Sequence, residues 1–402
     1  MNLVRTFFLL TMIFLPSFIP RLFSGQQPWT ATSISESLRK IEAIADVKHR
    51  KQAADRFYAL QKKKGFPLFE NDTTAVFLYH GKNQTVQIVG DHNSWKPAEF
   101  CEHIDGTKLF YAIMNFPPDA RIDYKFVLDS TEWILDPMNK RKISGGFGTN
   151  SELKMPQYID APEISFNKKI PHGTIDSVRM KSSSLGNERL IKIYVPPGYS
   201  KDGKKYPCLF VHDGLEFLSL ASMHNVLDHC IAAKEIQPVV VVFVPPVDRQ
   251  KEYWLSAQFE TFFVDMIIPY IRRHYYVSLE ESETAMMGAS LGGVTAMQIA
   301  FNHSLVIGKC AGFSSAIQIN EGEIIKRLQQ EPVEKIEFYL DCGRYEGAIK
   351  GSDFFKLNKS FAEMLRAKGY KVQWQEFNEG HSWGNWRAHI DDVLKNFFPY
   401  RK

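Results

Sequence analysis

The pentapeptide Gly288-Ala289-Ser290-Leu291-Gly292, with Gly293 directly behind it, restricts the fold of this chain more than any other stretch. The run before it, Thr284-Ala285-Met286-Met287, is short and apolar, in the manner of a buried strand, and residues 294–300 open a helix. A strand that passes into a helix through so tight a turn brings the two backbones close together, and glycine permits this where a side chain would clash. The turn also sets Ser290 at its tip, the context a nucleophilic serine needs. A serine hydroxyl is a weak nucleophile, so chemistry there requires a nearby base and N–H donors aimed at a developing oxyanion. The plainer reading is a structural turn.

The sequence around that turn predicts its setting. From residue 170 to 402, strands and helices alternate: strands over 190–195, 208–211, 239–244, 308–313, 336–341 and 372–377, and helices over 260–275, 361–368 and 386–397. The 239–244 strand holds no polar residue, which points to a central place in a parallel sheet covered on both faces. This order predicts a doubly wound α/β sheet. Residues 67–160 read differently, as short alternating strands (76–79, 85–89, 109–113, 124–127) separated by polar turns, the pattern of a small β-sandwich. Ser33-Ile34-Ser35-Glu36 is a capping-box pattern that opens a helical segment over 33–66. Residues 163–172 form a polar linker between sandwich and sheet.

Residues 1–25 read as a secretory signal: Arg5, then an almost wholly apolar run over 6–18, then small residues Ser24 and Gly25. The run is broken by Pro16 and Pro20 and is shorter than the roughly 20 residues a membrane span needs. No later segment is long and apolar enough to cross a bilayer, so the mature chain is expected to lack a transmembrane helix and to be periplasmic or secreted. The net charge of +4 on 402 residues argues against a nucleic-acid binder, which would concentrate basic residues on one face. Five scattered cysteines form no Cys-x-x-Cys pair; Cys208, Cys310 and Cys342 sit in apolar strands and read as core. No metal-ligand cluster or phosphate-cradling loop is present, so neither metal nor cofactor is expected; Gly145-Gly146-Phe147-Gly148 reads as a turn.

Among twelve histidines, His381 lies directly after a late strand, in Glu379-Gly380-His381-Ser382-Trp383. Its place after Ser290 suits the order serine, acid, histidine. The acid that fixes the imidazole tautomer should come between them, near the strand ending at Leu340. Asp341 and Glu346 are the candidates. Glu346 is preferred because it lies on the loop beyond Gly343, and Asp353 is an outsider. Leu291, directly after the serine, is expected to supply one oxyanion N–H, and Gly214 or Leu215 the other. Asp213 is expected to meet a polar substrate group or to pin its loop, Trp383 to meet substrate, His212 to shape the mouth of the site, and Arg249 and Arg344 to bind anionic oxygens of the substrate or form surface ion pairs.

Two resemblances add to this reading. Val89-Gly90-Asp91-His92-Asn93-Ser94-Trp95, residues 124–129 and Trp133-Ile134-Leu135-Asp136-Pro137 resemble the immunoglobulin-like module of glycogen-binding and isoamylase N-terminal families. That resemblance implies a fold more firmly than a ligand. Trp95 and Trp133 suit the apolar face of a sugar ring, although filling the sandwich core or the domain interface is the simpler role. His212-Asp213-Gly214, Arg249 with Glu252-Tyr253, residues 267–271, Gly288 to Gly293 and Gly380-His381-Ser382-Trp383 resemble the "Putative esterase" family, which holds enterochelin, feruloyl and acetylxylan esterases on an α/β-hydrolase sheet. The resemblance implies Ser290 as nucleophile, His381 as base, Glu346 in the acid position, and a carboxylic ester of a small molecule, a siderophore trilactone or a saccharide as substrate. The alternatives are a non-catalytic glycan-binding protein on the same scaffold and a serine peptidase.

Overall fold

The computed structural model describes residues 33–146, 148–349 and 352–401, so the leader expected over 1–25 lies outside the described residues. The helical segment at the start is two helices, Ile34–Glu42 and Val47–Lys64, rather than one. Ser33 Oγ accepts from the Glu36 N–H at 3.0 Å, but the Glu36 carboxylate turns to Lys40 at 2.6 Å and leaves the capping box half made. Asp46 caps the second helix through the His49 N–H at 2.8 Å, which forces the break between the two.

These helices lay Leu38, Ile41, Ala54 and Phe57 over Val76, Leu78 and Tyr111, the outer face of a four-stranded antiparallel sheet. Its order is Leu68–Asn71, Thr74–His80, Leu109–Asn115, Glu102–His103. A five-stranded antiparallel sheet packs on the inner face. It runs Val86–Gly90, Arg121–Leu128, Gly148–Lys154, Lys142–Gly145, with Glu132–Ile134 also paired to Arg121–Leu128. Phe77 and Phe110 of the first sheet meet Ile88, Ile122, Tyr124, Phe126 and Leu153 of the second in a common core. Because strand side chains alternate, burying Ile122, Tyr124 and Phe126 turns Arg121, Asp123 and Lys125 to the opposite face.

The remainder of the chain builds an eight-stranded sheet in the order Thr174–Lys181, Glu188–Val195, Val240–Val244, Cys208–His212, Thr284–Ala289, Lys309–Phe313, Glu337–Gly343, Lys371–Phe377. The first two strands form an antiparallel hairpin, the third is antiparallel to the second, and the rest are parallel. The apolar Val240–Val244 is fully buried inside the sheet. Separate cores cover the two faces. One gathers Phe259, Phe263, Val294, Ile299 and Phe361, the other Phe217, Val226, Trp383, Ile390 and Phe397. The edge strand Thr174–Lys181 escaped the sequence reading because most of its residues are exposed and carry no apolar signal. The 386–397 helix is broken into Trp383–Arg387 and Ile390–Phe397. All five cysteines are buried free thiols. Among the described residues no helix is long and apolar enough to cross a membrane.

Candidate active site

Thr284–Ala289 ends at Ser290 and helix Leu291–Asn302 begins at once. Ser290 is held at φ 56°, ψ −117°, a left-handed conformation unfavourable for a residue with a Cβ. The surroundings impose it. The Ser290 N–H donates to the Phe313 carbonyl at 2.8 Å, and the Ser290 carbonyl accepts from Ala316 at 3.0 Å and Gly293 at 3.1 Å. A Cβ on Gly288 would collide with the Gly292 backbone, so glycine is what lets the turn close.

The loop that clasps this turn also reaches the histidine. Ser314 Oγ, one residue beyond Phe313, donates to Glu346 Oε1 at 2.5 Å, and the Gly343 N–H donates to the same oxygen at 2.9 Å. Trp386 Nε1 donates to Ser314 Oγ at 3.0 Å. The other oxygen of Glu346 lies 2.6 Å from His381 Nδ1. The His381 ring stands edge-on to Phe354 and Trp386, with centroids 5.1 and 4.9 Å away. With Nδ1 engaged by a carboxylate, the ring carries its proton there and leaves Nε2 as the acceptor. Among the described residues no hydrogen bond joins Ser290 Oγ to His381; the two are connected indirectly, through the Ser290 N–H on Phe313 and the bonds of the neighbouring Ser314 to Glu346 and of Glu346 to His381.

Asp341, the rival acid, is 1 % exposed, and neither carboxylate oxygen has a hydrogen-bond partner among the described residues. Burial, reinforced by the Glu346 charge, pushes its carboxyl well above the usual range. A buried carboxyl without a hydrogen-bond partner does not orient an imidazole. Asp353 caps helix Phe354–Lys368 through the Lys356 N–H at 3.0 Å.

The turn after Cys208–His212 sits beside the serine turn, since this strand pairs in parallel with Thr284–Ala289. Gly214 opens the short helix Gly214–Ser219, and Leu291 opens its own, so these first-turn N–H groups lack helical acceptors. Leu215 lies in the same first turn. Asp213, expected to meet substrate or to pin its loop, is 2 % exposed, and its two oxygens accept from Arg249 Nε and Nη2, each at 2.7 Å. Arg249 also reaches the Ala289 carbonyl at 3.3 Å, so the pair braces the serine turn. The sequence placed Asp213 and Arg249 near Ser290 but missed that they engage each other. Trp383, also expected at the substrate, is 6 % exposed and packs edge-on against Phe217 and Trp386, in the core. His212 does not line the mouth: it is buried among Tyr253, Phe259 and Phe263, and burial pushes its ring down to about 3. Arg344 forms a surface pair with Glu376 at 2.8 Å.

The residue that sequence reasoning missed is Arg121, from the sandwich. Its side chain is fully buried and bonds Glu152 and Asp123, each at 2.7 Å, and Ser382 Oγ at 3.1 Å, with Glu379 at 3.8 Å. Its N–H donates to the Asn378 carbonyl at 3.0 Å. A Cβ on Gly384 would overlap the guanidinium, and one on Gly380 the Asp91 carboxyl, so both glycines admit the sandwich to the His381 loop. A charged residue alternating with apolar ones reads as a solvated strand face, and nothing local marks it as an interface.

Replacing Arg121 with methionine is expected to leave Asp123 and Glu379 buried without this cation and Glu152 with only Lys154 and Arg387 beside it. The loss of stability, about 3–5 kcal/mol, is measured by urea unfolding at neutral pH. Burial raises Glu152, but Arg121 and Lys154 outweigh it and hold this carboxyl below its usual range. The stabilisation is therefore present at neutral pH and is lost as pH falls through that depressed value, so the wild-type advantage shrinks in acid.

A cleft of about 350 Å³ borders His381, Ser382 and Glu346 on one side and Trp95, Trp133, Asp123, Lys125 and Asn150 of the sandwich on the other. Neither tryptophan fills the sandwich core; of the two simpler places given to them above, both take the second, where the sandwich faces the other domain, and Trp133 is 46 % exposed.

Residues 182–397 match the model of the family described as "Putative esterase". An endo-1,4-beta-xylanase/feruloyl esterase of Xylanibacter ruminicola is 26 % identical over 255 residues, 60 % of this chain and 33 % of that protein, so the chain spans a third of that relative's length. The crystal structure of ferric enterobactin esterase from Salmonella typhimurium superposes with a TM-score of 0.72 at 18 % identity, covering 84 % of this chain and 97 % of that one. A ferulic acid esterase from Anaeromyces mucronatus gives 0.51 at 21 % identity, covering 60 % and 96 %. With the family model covering more than half of its length, the chain belongs to the "Putative esterase" family of ester hydrolases.

Proposed function

We propose that the protein is a serine carboxylic-ester hydrolase working through an acyl-enzyme, with Ser290 as nucleophile, His381 as base and Glu346 as the acid that orients it. The observation that carries the reading is the 2.6 Å contact between His381 Nδ1 and a Glu346 carboxylate already fixed by Ser314 and Gly343. Ser290 Oγ attacks the ester carbonyl and passes its proton to His381 Nε2. The N–H of Leu291 and that of Gly214 or Leu215 receive the negative oxygen of the tetrahedral intermediate. As it collapses, His381 returns the proton to the departing alkoxide, and the alcohol leaves. Water then attacks the acyl-enzyme by the same route, releasing the acid and restoring Ser290.

Feruloyl or acetyl esters of saccharides are the favoured substrates, with a siderophore trilactone as the alternative. The xylanase/feruloyl esterase relative favours the first, and likeness to the enterobactin esterase fold keeps the second open. We read the sandwich as the immunoglobulin-like module its motifs resemble, and the apolar leader as a signal for export to the periplasm or beyond. A fluorophosphonate probe tests the chemistry. It is expected to label the folded protein once, at Ser290 by mass spectrometry, and to abolish p-nitrophenyl acetate hydrolysis in proportion. Labelling elsewhere, or activity surviving complete labelling, overturns the reading.

A further inference from the structure

The cleft beside His381 has a wall from the other half of the molecule, and the strand register sets what that wall offers. Trp133 pairs opposite Val127, so it projects from the same face of the sheet as Lys125, Asp123 and Arg121. Arg121, at the deep end of this row, is consumed by the His381 loop. Farther out, the row opens into the cleft with Asp123, Lys125, Asn150 and Trp133, and Trp95 joins from the turn after Val86–Gly90. Trp95 is held in place by its indole N–H, which donates to Asp91 Oδ1 at 3.0 Å, and Asn150 by its amide, which donates to Asp123 Oδ2 at 3.0 Å. Lys125 is half-buried, and its ammonium group has no ion pair or hydrogen bond among the described residues. The wall therefore combines two indole faces with an amide and an ammonium group, the Asp123 carboxylate behind them being taken by Arg121 and Asn150, inside a volume suited to a small ligand.

Position decides which part of an ester this wall meets. His381 hands its proton to the leaving oxygen, so the alcohol must lie against the imidazole. The cleft borders His381, Ser382 and Glu346, whereas Ser290, Leu291 and Gly214 are not among its lining residues. A leaving group held against the imidazole therefore extends into this cleft. Indole faces accept the C–H face of a pyranose, and the polar groups between them match its ring of hydroxyls; an aromatic acyl group would have little use for these polar groups.

We propose that the sandwich wall is the leaving-group subsite of the esterase, with Trp95 and Trp133 stacking on the rings of a saccharide alcohol and Asn150 and Lys125 bonding its hydroxyls. This rests on the esterase reading of Ser290, His381 and Glu346.

The full chain carrying Trp133→Ala or Trp95→Ala is compared with the wild type on acetylated xylotriose and on ethyl acetate. The ratio of kcat/KM for the saccharide ester to that for the ethyl ester is expected to fall about tenfold in each variant, and Trp133→Phe, which keeps a flat face, to recover most of it. Because Trp133 lies outside the core, the variant should fold; Lys125→Gln, with an expected smaller fall in the same ratio, supplies a second readout. Separately, xylotriose, cellotriose and maltotriose are titrated into the Ser290→Ala protein, and at least one should quench its tryptophan fluorescence, an effect lost with Trp133→Ala. An unmoved ratio, no binding of any of the three sugars, or ferulate displacing a bound sugar from the tryptophans overturns the subsite. Ester hydrolysis that persists in Ser290→Ala overturns the esterase reading instead, and leaves the sugar titration as an independent measure of the wall.

Discussion

Replacing Ser290 with alanine is expected to lower kcat on p-nitrophenyl acetate by about five to six orders of magnitude, with little change in stability. The size follows from the role. In the proposed mechanism the hydroxyl forms the covalent bond to the acyl group, and no neighbouring side chain substitutes for it. Residual turnover would come from the N–H donors and bound water alone. The substitution leaves the backbone contacts to Phe313, Ala316 and Gly293 in place, because none of them uses the side chain. Thermal unfolding should confirm an intact fold. A loss below about a hundredfold would mean that another group attacks the ester, and the mechanism would fall.

Glu346→Gln is expected to cost about four orders of magnitude in kcat, even though glutamine has almost the same shape. Its carbonyl oxygen can still accept from Ser314 and Gly343, which turns its NH2 group toward His381 Nδ1. An NH2 group there donates, so Nδ1 must accept and the ring proton moves to Nε2. That tautomer presents Ser290 with a donor where a base is needed. Glu346→Asp keeps the charge but shortens the reach, and should lose less. The measurement is kcat over pH 6–9 for the three proteins. Equal activity of the glutamine variant and the wild type would show that His381 works without an orienting acid.

Much of this was legible along the chain. Ser290, His381 and the pair Asp341 and Glu346 stand at strand ends, and a strand end can be read from a short apolar run followed by glycine. The choice between the two acids was legible only as a preference for Glu346, from its place on the loop beyond Gly343. Both lie within six residues, and what separates them is that Glu346 finds donors in Ser314, Gly343 and His381 while Asp341 finds none. Trp383 was misplaced because an aromatic next to a catalytic histidine looks like a substrate contact, while its true partner, Phe217, is 166 residues away along the chain.

The sequence by itself determined the local pieces: the glycine-flanked serine turn, the apolar parallel strands, the alternating sandwich strands and the order serine, acid, histidine. Each follows from a periodicity or a turn preference acting over a few residues. Only the tertiary structure decided how distant polar groups pair. Arg121 closes on a loop more than 250 residues further along, Arg249 is taken up by Asp213, and the face that carries Trp133 comes to stand across from His381. Hydrogen bonds and ion pairs between remote side chains leave no periodic trace in sequence, because their partners are set by packing and not by neighbourhood.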